Sequence, residues 1–98
     1  MRETKFEQET IKEIYDRLPG SVVLKNDASR YQGIPDRLIL WGKHWAALEF
    51  KAKENSKQQP NQDYYVETLD RMSFAAFIYP ENKDEVLDAL QSAFGVEG

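Results

Sequence analysis

The stretch GIPDRLILWGKHWAALEFKAK, from Gly33 to Lys53, sets two carboxylates and an ammonium among two apolar runs: Asp36 near its start, Glu49 and Lys51 near its end. If Gly42-Lys43 is a two-residue turn, its glycine at the first central position is what a type II′ turn requires. Trp41 then faces His44, and counting back along both runs sets Asp36 opposite Glu49. Directly opposed side chains on one face have Cβ atoms about 4.5–5.5 Å apart. Two carboxylates that close repel unless something positive lies between them. A Mg²⁺ ion, with oxygen ligands at about 2.0–2.1 Å, answers that need. Lys51, two residues beyond Glu49, points to the same face because the side-chain period of a strand is two. A loop one residue longer would instead set Asp36 opposite Phe50 and send the two acids to opposite faces.

A third acid comes from the start of the chain. From Thr4 to Leu18 the spacing is helical, with Ile11, Ile14 and Leu18 on one side, and Pro19-Gly20 ends the run. Glu7 projects near the centre of that apolar arc, with Glu3 close to its edge, whereas Glu9 and Glu13 project to the far side. A carboxylate on the inward face is costly unless it finds a cation or a donor, so Glu7 is aimed at the sheet. The competing role for Glu7 is to cap the first turn or to reach solvent.

These residues need a scaffold, and the remaining segments supply one. Ser21 to Lys25 is β-branched and reads as a strand; NDASRYQGIP is a polar loop of about ten residues, long enough to serve a function. Asp36 to Trp41 and His44 to Lys51 are the two strands of the hairpin. After the polar tract AKENSKQQPN, a helix starts near Pro60 with Tyr65, Leu69 and Met72 on one face. Phe74 to Tyr79 is a short buried strand stopped by Pro80. A last helix runs from about Asn82 to Phe94, with Val86, Leu87, Leu90 and Phe94 as its apolar stripe. The order αβββαβα, with apolar residues on both sides of the hairpin strands, predicts one α/β domain over residues 1–98. Its mixed four-stranded sheet is flanked by helices on both faces, and the strands on either side of the second helix are parallel.

The 98 residues contain no cysteine and one histidine, which excludes thiolate zinc sites, cysteine nucleophiles and any mechanism needing two imidazoles. His44, opposite Trp41 at the turn, lies about five residues, roughly 17 Å, from the paired acids, and reads as structural. Trp41, Trp45 and Phe50 read as core, and Tyr64 and Tyr65 as one exposed and one packed ring. There is no run of about 20 apolar residues that would cross a bilayer and no secretory h-region in MRETKFEQET, so the expectation is a soluble, intracellular protein that is not secreted. The net charge of −4 is unevenly spread: Lys25 to Lys57 holds seven bases against four acids, leaving the acids mostly to the flanking segments.

Taken together, G-I-P-D at Gly33 to Asp36, a hydrophobic strand and L-E-F-K at Leu48 to Lys51 resemble the PD-(D/E)XK nuclease signature. Gln62, followed at helical spacing by Tyr65 and Leu69, is similar to the glutamine that follows the E-x-K strand in the VRR-NUC branch, though Gln58 and Gln59 compete for that position. The leading helix with a glutamate, the element order and the small size also resemble the stand-alone VRR-NUC proteins of phages and bacteria, over nearly all the chain from Glu7 to Phe94. The resemblance implies a restriction-endonuclease-like fold. It implies catalytic roles for Glu7, Asp36, Glu49, Lys51 and Gln62, with Mg²⁺ (or Mn²⁺) held by Asp36, Glu49, the backbone carbonyl of Phe50 and Glu7. Arg30, Tyr31 and Gln32 in the loop before Gly33, unless that loop is simply solvated, and Lys53 and Lys57 after the E-x-K strand, would contact DNA. Branched DNA such as a Holliday junction, a homodimer, no small-molecule cofactor, no membrane, and the interior of a bacterial or phage-infected cell complete what it implies.

Two other readings use the same residues. One is a nuclease-fold subunit that binds DNA and cleaves only within a larger replication or repair complex. The other is an α/β interaction module in which the acids are structural and Lys51 is a surface lysine paired with Glu49, a contact worth little.

Overall fold

The computed structural model describes residues 3–27, 29–57 and 59–96. Its elements follow the predicted order: α1 (Lys5–Arg17), β1 (Val22–Lys25), β2 (Arg37–Trp41), β3 (His44–Phe50), α2 (Gln62–Met72), β4 (Phe74–Ile78) and α3 (Lys83–Ala93). They form one four-stranded sheet in the order β1-β2-β3-β4. The first three strands are antiparallel, and β3 pairs with β4 in parallel, as a crossover through α2 demands. None of the helices in the described residues is long and apolar enough to cross a membrane.

Local chemistry sets the ends of these elements. Thr4 caps α1 by accepting the Glu7 N–H on its hydroxyl at 3.1 Å. Gly42 has φ +60°, whereas Lys43 keeps a negative φ, the combination of a type II′ turn. That turn fixes the register of the hairpin from Trp41↔His44 back to Arg37↔Leu48. Between β4 and α3, Asn82 accepts the Tyr79 N–H at 2.8 Å and donates to the Phe77 carbonyl at 3.1 Å, turning the chain after Pro80.

Strand alternation divides the sheet into two faces. One face packs Ile39, Ala46, Leu48, Phe50 and Ile78 against Ile14 and Leu18 of α1 and its C-cap and Val86, Leu87, Leu90 and Phe94 of α3, which is the main core. The other face packs Ala47 and Ala75 under Val66 of α2, with Leu69 and Phe77 beside them. Because α2 lies over β3 and β4, Val22 and Leu24 of β1 remain 47% and 44% exposed on the uncovered half of this face.

The inward side of α2 differs from the expected Tyr65, Leu69 and Met72. Gln62 and Val66 are its buried residues, Tyr65 is half-buried and Met72 is 68% exposed. The helix is rotated so that the i, i+4, i+7 row Gln62, Val66, Leu69 meets the sheet, which drives the polar Gln62 into the interior and leaves Met72 exposed in the last turn.

Candidate active site

Beyond the Arg37↔Leu48 pair the β2–β3 ladder ends, and the next step sets Asp36 across from Glu49. The Asp36 carboxylate accepts the Phe50 N–H at 2.9 Å. The two acids therefore share a face, and the longer loop that would have separated them does not occur. Gly33, at φ +91°, makes this possible: a Cβ there would lie 2.7 Å from both the Asn61 Cβ and the Pro60 carbonyl oxygen. The loop that carries Asp36 thus rests directly on the entry to α2, which carries Gln62.

Glu49 is 5% exposed. One of its oxygens, Oε2, accepts from Gln62 Nε2 at 2.8 Å, and the other, Oε1, is buried without a hydrogen-bond partner. Burial and then the neighbouring Asp36 charge push its pKa up to about 7; Lys51 opposes the rise, and Glu7 adds to it. Gln62 Oε1 accepts from Lys51 Nζ at 2.5 Å and from the Gln59 N–H at 2.9 Å. The Gln62 amide therefore bridges the lysine and the glutamate. Lys51 Nζ also reaches the Lys57 carbonyl at 3.4 Å and lies 5.7 Å from the centre of the Phe77 ring. Gln58 lies outside the described residues, and Gln59 serves the site through its backbone.

Glu7 comes from the α1 side. Phe6 packs edge-on against Phe50, with ring centres 5.9 Å apart, which brings the first turn of α1 to the end of the sheet that carries Glu49. The Glu7 side chain is 19% exposed, and its Oε2 lies 3.7 Å from Arg37 Nη2. Glu7, Asp36, Glu49, Lys51, Gln62 and Lys57 line one cleft of about 720 Å³. Gln32, from the loop expected to meet DNA, lines it too, as do Lys25, Asn26, Ser29 and Arg37, four residues that no local sequence signal marks for the site. Arg30, Tyr31 and Lys53 are exposed on the two loops beside the cleft and are not part of its wall.

Among the described residues, no three His, Cys, Asp or Glu side chains converge closely enough to hold a metal ion. Asp36 and Glu49 are a smaller, all-oxygen pair, which suits a hard cation: Mg²⁺ keeps several waters and takes one or two carboxylates. The unpartnered Oε1 of Glu49, buried beside a second carboxylate, is the feature of this chain that fits such an ion.

An open α/β sheet with an aspartate and an E-x-K lysine gathered at one end is the arrangement that the sequence resemblance implies. Comparison with solved structures agrees. A VRR_NUC domain aligns at 25% identity over 83% of this chain and 89% of its own, with a TM-score of 0.63. A VRR_NUC domain protein aligns at 18% identity over 93% and 89%, with a TM-score of 0.57. The Archaeoglobus fulgidus Hjc, a Holliday junction resolvase, aligns at 19% identity over 79% and 68%, with a TM-score of 0.53. No family model matches the sequence, and no curated protein matches it. The chain has the α/β fold of these VRR_NUC domains.

Proposed function

We propose that this protein is a divalent-metal-dependent endonuclease that hydrolyses phosphodiester bonds in branched DNA. The observation that carries it is the Asp36, Glu49, Gln62, Lys51 array: a buried carboxylate with one open oxygen beside a second acid, and an ammonium held off it by an amide. Asp36, Glu49 and the Phe50 carbonyl would hold Mg²⁺ or Mn²⁺, with Glu7 joining from α1. Bound there, the ion would lower the pKa of water and offset charge on the phosphoryl oxygens.

The chain's own residues do the rest. Gln62 orients Lys51 and keeps it from collapsing onto Glu49. Lys51 then faces the cleft as a donor that orients the attacking water and stabilises charge developing on the phosphate. Lys57 at the cleft wall, with Arg30, Tyr31 and Lys53 on the flanking loops, would hold the backbone on either side of the cut. The fold it shares with a Holliday junction resolvase supports a four-way or branched substrate. Symmetric cutting of such a junction takes two active sites, so the reading includes a homodimer.

Purified protein incubated with linear, flapped and four-way DNA, with and without chelator and beside a Lys51→Ala control, tests the reading. Cleavage of branched substrates that needs both the metal and Lys51 supports it. Cleavage that survives the chelator overturns it.

A further inference from the structure

Arg37 follows Asp36 directly, and strand alternation turns it to the α1 face while Asp36 faces the α2 side. Its side chain is only 7% exposed, and a buried guanidinium needs acidic partners. One partner, Glu3, lies just ahead of α1, and the other, Glu7, in its first turn. Arg37 Nη2 hydrogen-bonds the Glu3 carboxylate and lies 3.7 Å from Glu7 Oε2, and Arg37 Nε is buried without a partner. The two contacts are unequal in kind. Glu3 takes the hydrogen bond, whereas Glu7 stands beyond hydrogen-bond length though within electrostatic reach. Glu3 does not line the cleft and Glu7 does.

We propose that Glu3 and Arg37 form an ionic latch that fixes the first turn of α1 over the carboxylate end of the sheet and leaves the Glu7 oxygens available to a divalent cation. Both are positioning residues that act through Glu7. The latch rests on the reading of Asp36, Glu49 and Glu7 as a cation site. With Glu3 taking the hydrogen bond, Arg37 holds Glu7 only through the longer 3.7 Å ion pair, which leaves no hydrogen bond between them. Without Glu3, Arg37 turns to Glu7 as the neighbouring acid, and a full ion pair there withdraws Glu7 from the cleft. An acid outside the site thus sets how many carboxylates the site offers.

The test is calorimetric titration with Mn²⁺ alone, without DNA, on the wild type, Glu3→Gln, Glu7→Gln, the double variant and Asp36→Asn. Glu3 is 34% exposed ahead of the helix, so Glu3→Gln leaves the core intact. The expected result is about a fivefold loss of Mn²⁺ affinity in Glu3→Gln and no further loss when the change is made in Glu7→Gln. Arg37→Lys, which keeps the charge and loses the rigid fork, repeats the test from the other side of the latch with the same expected coupling to Glu7. Unchanged Mn²⁺ affinity in Glu3→Gln, or an equal loss with Glu7 already replaced, overturns the latch while Asp36-dependent binding leaves the cation site standing. Absence of Asp36-dependent Mn²⁺ binding in the wild type overturns the cation site and the latch together.

Discussion

The Asp36 carboxylate satisfies the Phe50 N–H at 2.9 Å where the hairpin ladder has run out, so one side chain both finishes the strand pairing and faces Glu49. Asn at this position keeps an acceptor oxygen for Phe50 and removes the charge. Asp36→Asn is therefore expected to melt within a few degrees of the metal-free wild type, yet to lose the stabilisation that the wild type gains from metal. That gain is about 2.7 kcal/mol at a metal concentration 100 times its dissociation constant. Melting curves with and without Mn²⁺ check this, and equal stabilisation of both proteins by Mn²⁺ would remove Asp36 from the site.

Glu49 carries a pH dependence with a definite sign. Burial, and then Asp36, raise it from 4.5 to about 7, so between those values the folded chain holds a proton that the unfolded chain has released. Its contribution to the stability of the metal-free protein is full below pH 4.5 and is lost as pH rises through 7, on the order of 3 kcal/mol. Urea unfolding from pH 4.5 to 8 should show this decline in the wild type and not in Glu49→Gln. Metal affinity runs the other way, rising toward pH 7 and flattening above it, because the cation displaces the proton.

Lys51 is separable from metal binding. The ammonium is anchored on Gln62 rather than on Glu49. Lys51→Ala should keep its Mn²⁺-dependent shift in melting temperature while cleavage falls about a hundredfold or more. Gln62→Leu should depress cleavage as well, by freeing Lys51 to pair with Glu49. Loss of Mn²⁺ binding in Lys51→Ala would refute the separation.

Gly33 and Gly42 both have positive φ, but their surroundings differ. Around Gly42 there is nothing within 4 Å of a built Cβ, whereas at Gly33 the nearest atoms stand at 2.7 Å. Gly42→Ala should cost about 1 kcal/mol from backbone conformation alone. Gly33→Ala should cost about 2–3 kcal/mol, because it also pries the loop off the start of α2, lowering the melting temperature by roughly 10 °C or more. Equal costs in denaturant titration would show that the close approach is not maintained.

If Lys53, Lys57 and Arg30 hold phosphates, replacing any one with Ala should weaken binding to all DNA shapes alike. Each replacement should also reduce the slope of log affinity against log salt by about 1. Titrations at several salt concentrations with a non-cleaving variant read this directly, and an unchanged slope would place that residue off the DNA path.

Much of the site could be read from local rules. Glycine followed by lysine fixed the turn, the turn fixed the register, and the register brought Asp36 to Glu49 with Lys51 on the same face. Helical spacing likewise turned Glu7 inward, to the wall of the cleft. What stayed hidden depends on contacts distant in sequence. Apolar count alone favoured Tyr65, Leu69 and Met72 as the inner row of α2, because nothing local says that a buried Glu49 would draw a glutamine inward. The same holds for Glu3 and Arg37, 34 positions apart, and for Gly33 against Asn61; each is decided by how helix and sheet meet.

The Gly42-Lys43 turn lies at the far end of the hairpin from the acids, about five residues or some 17 Å away. A fluorophore or affinity handle attached at Lys43 would therefore report on the molecule without entering its working end. It would also give single-molecule assays an anchoring point whose position follows from the strand pairing itself.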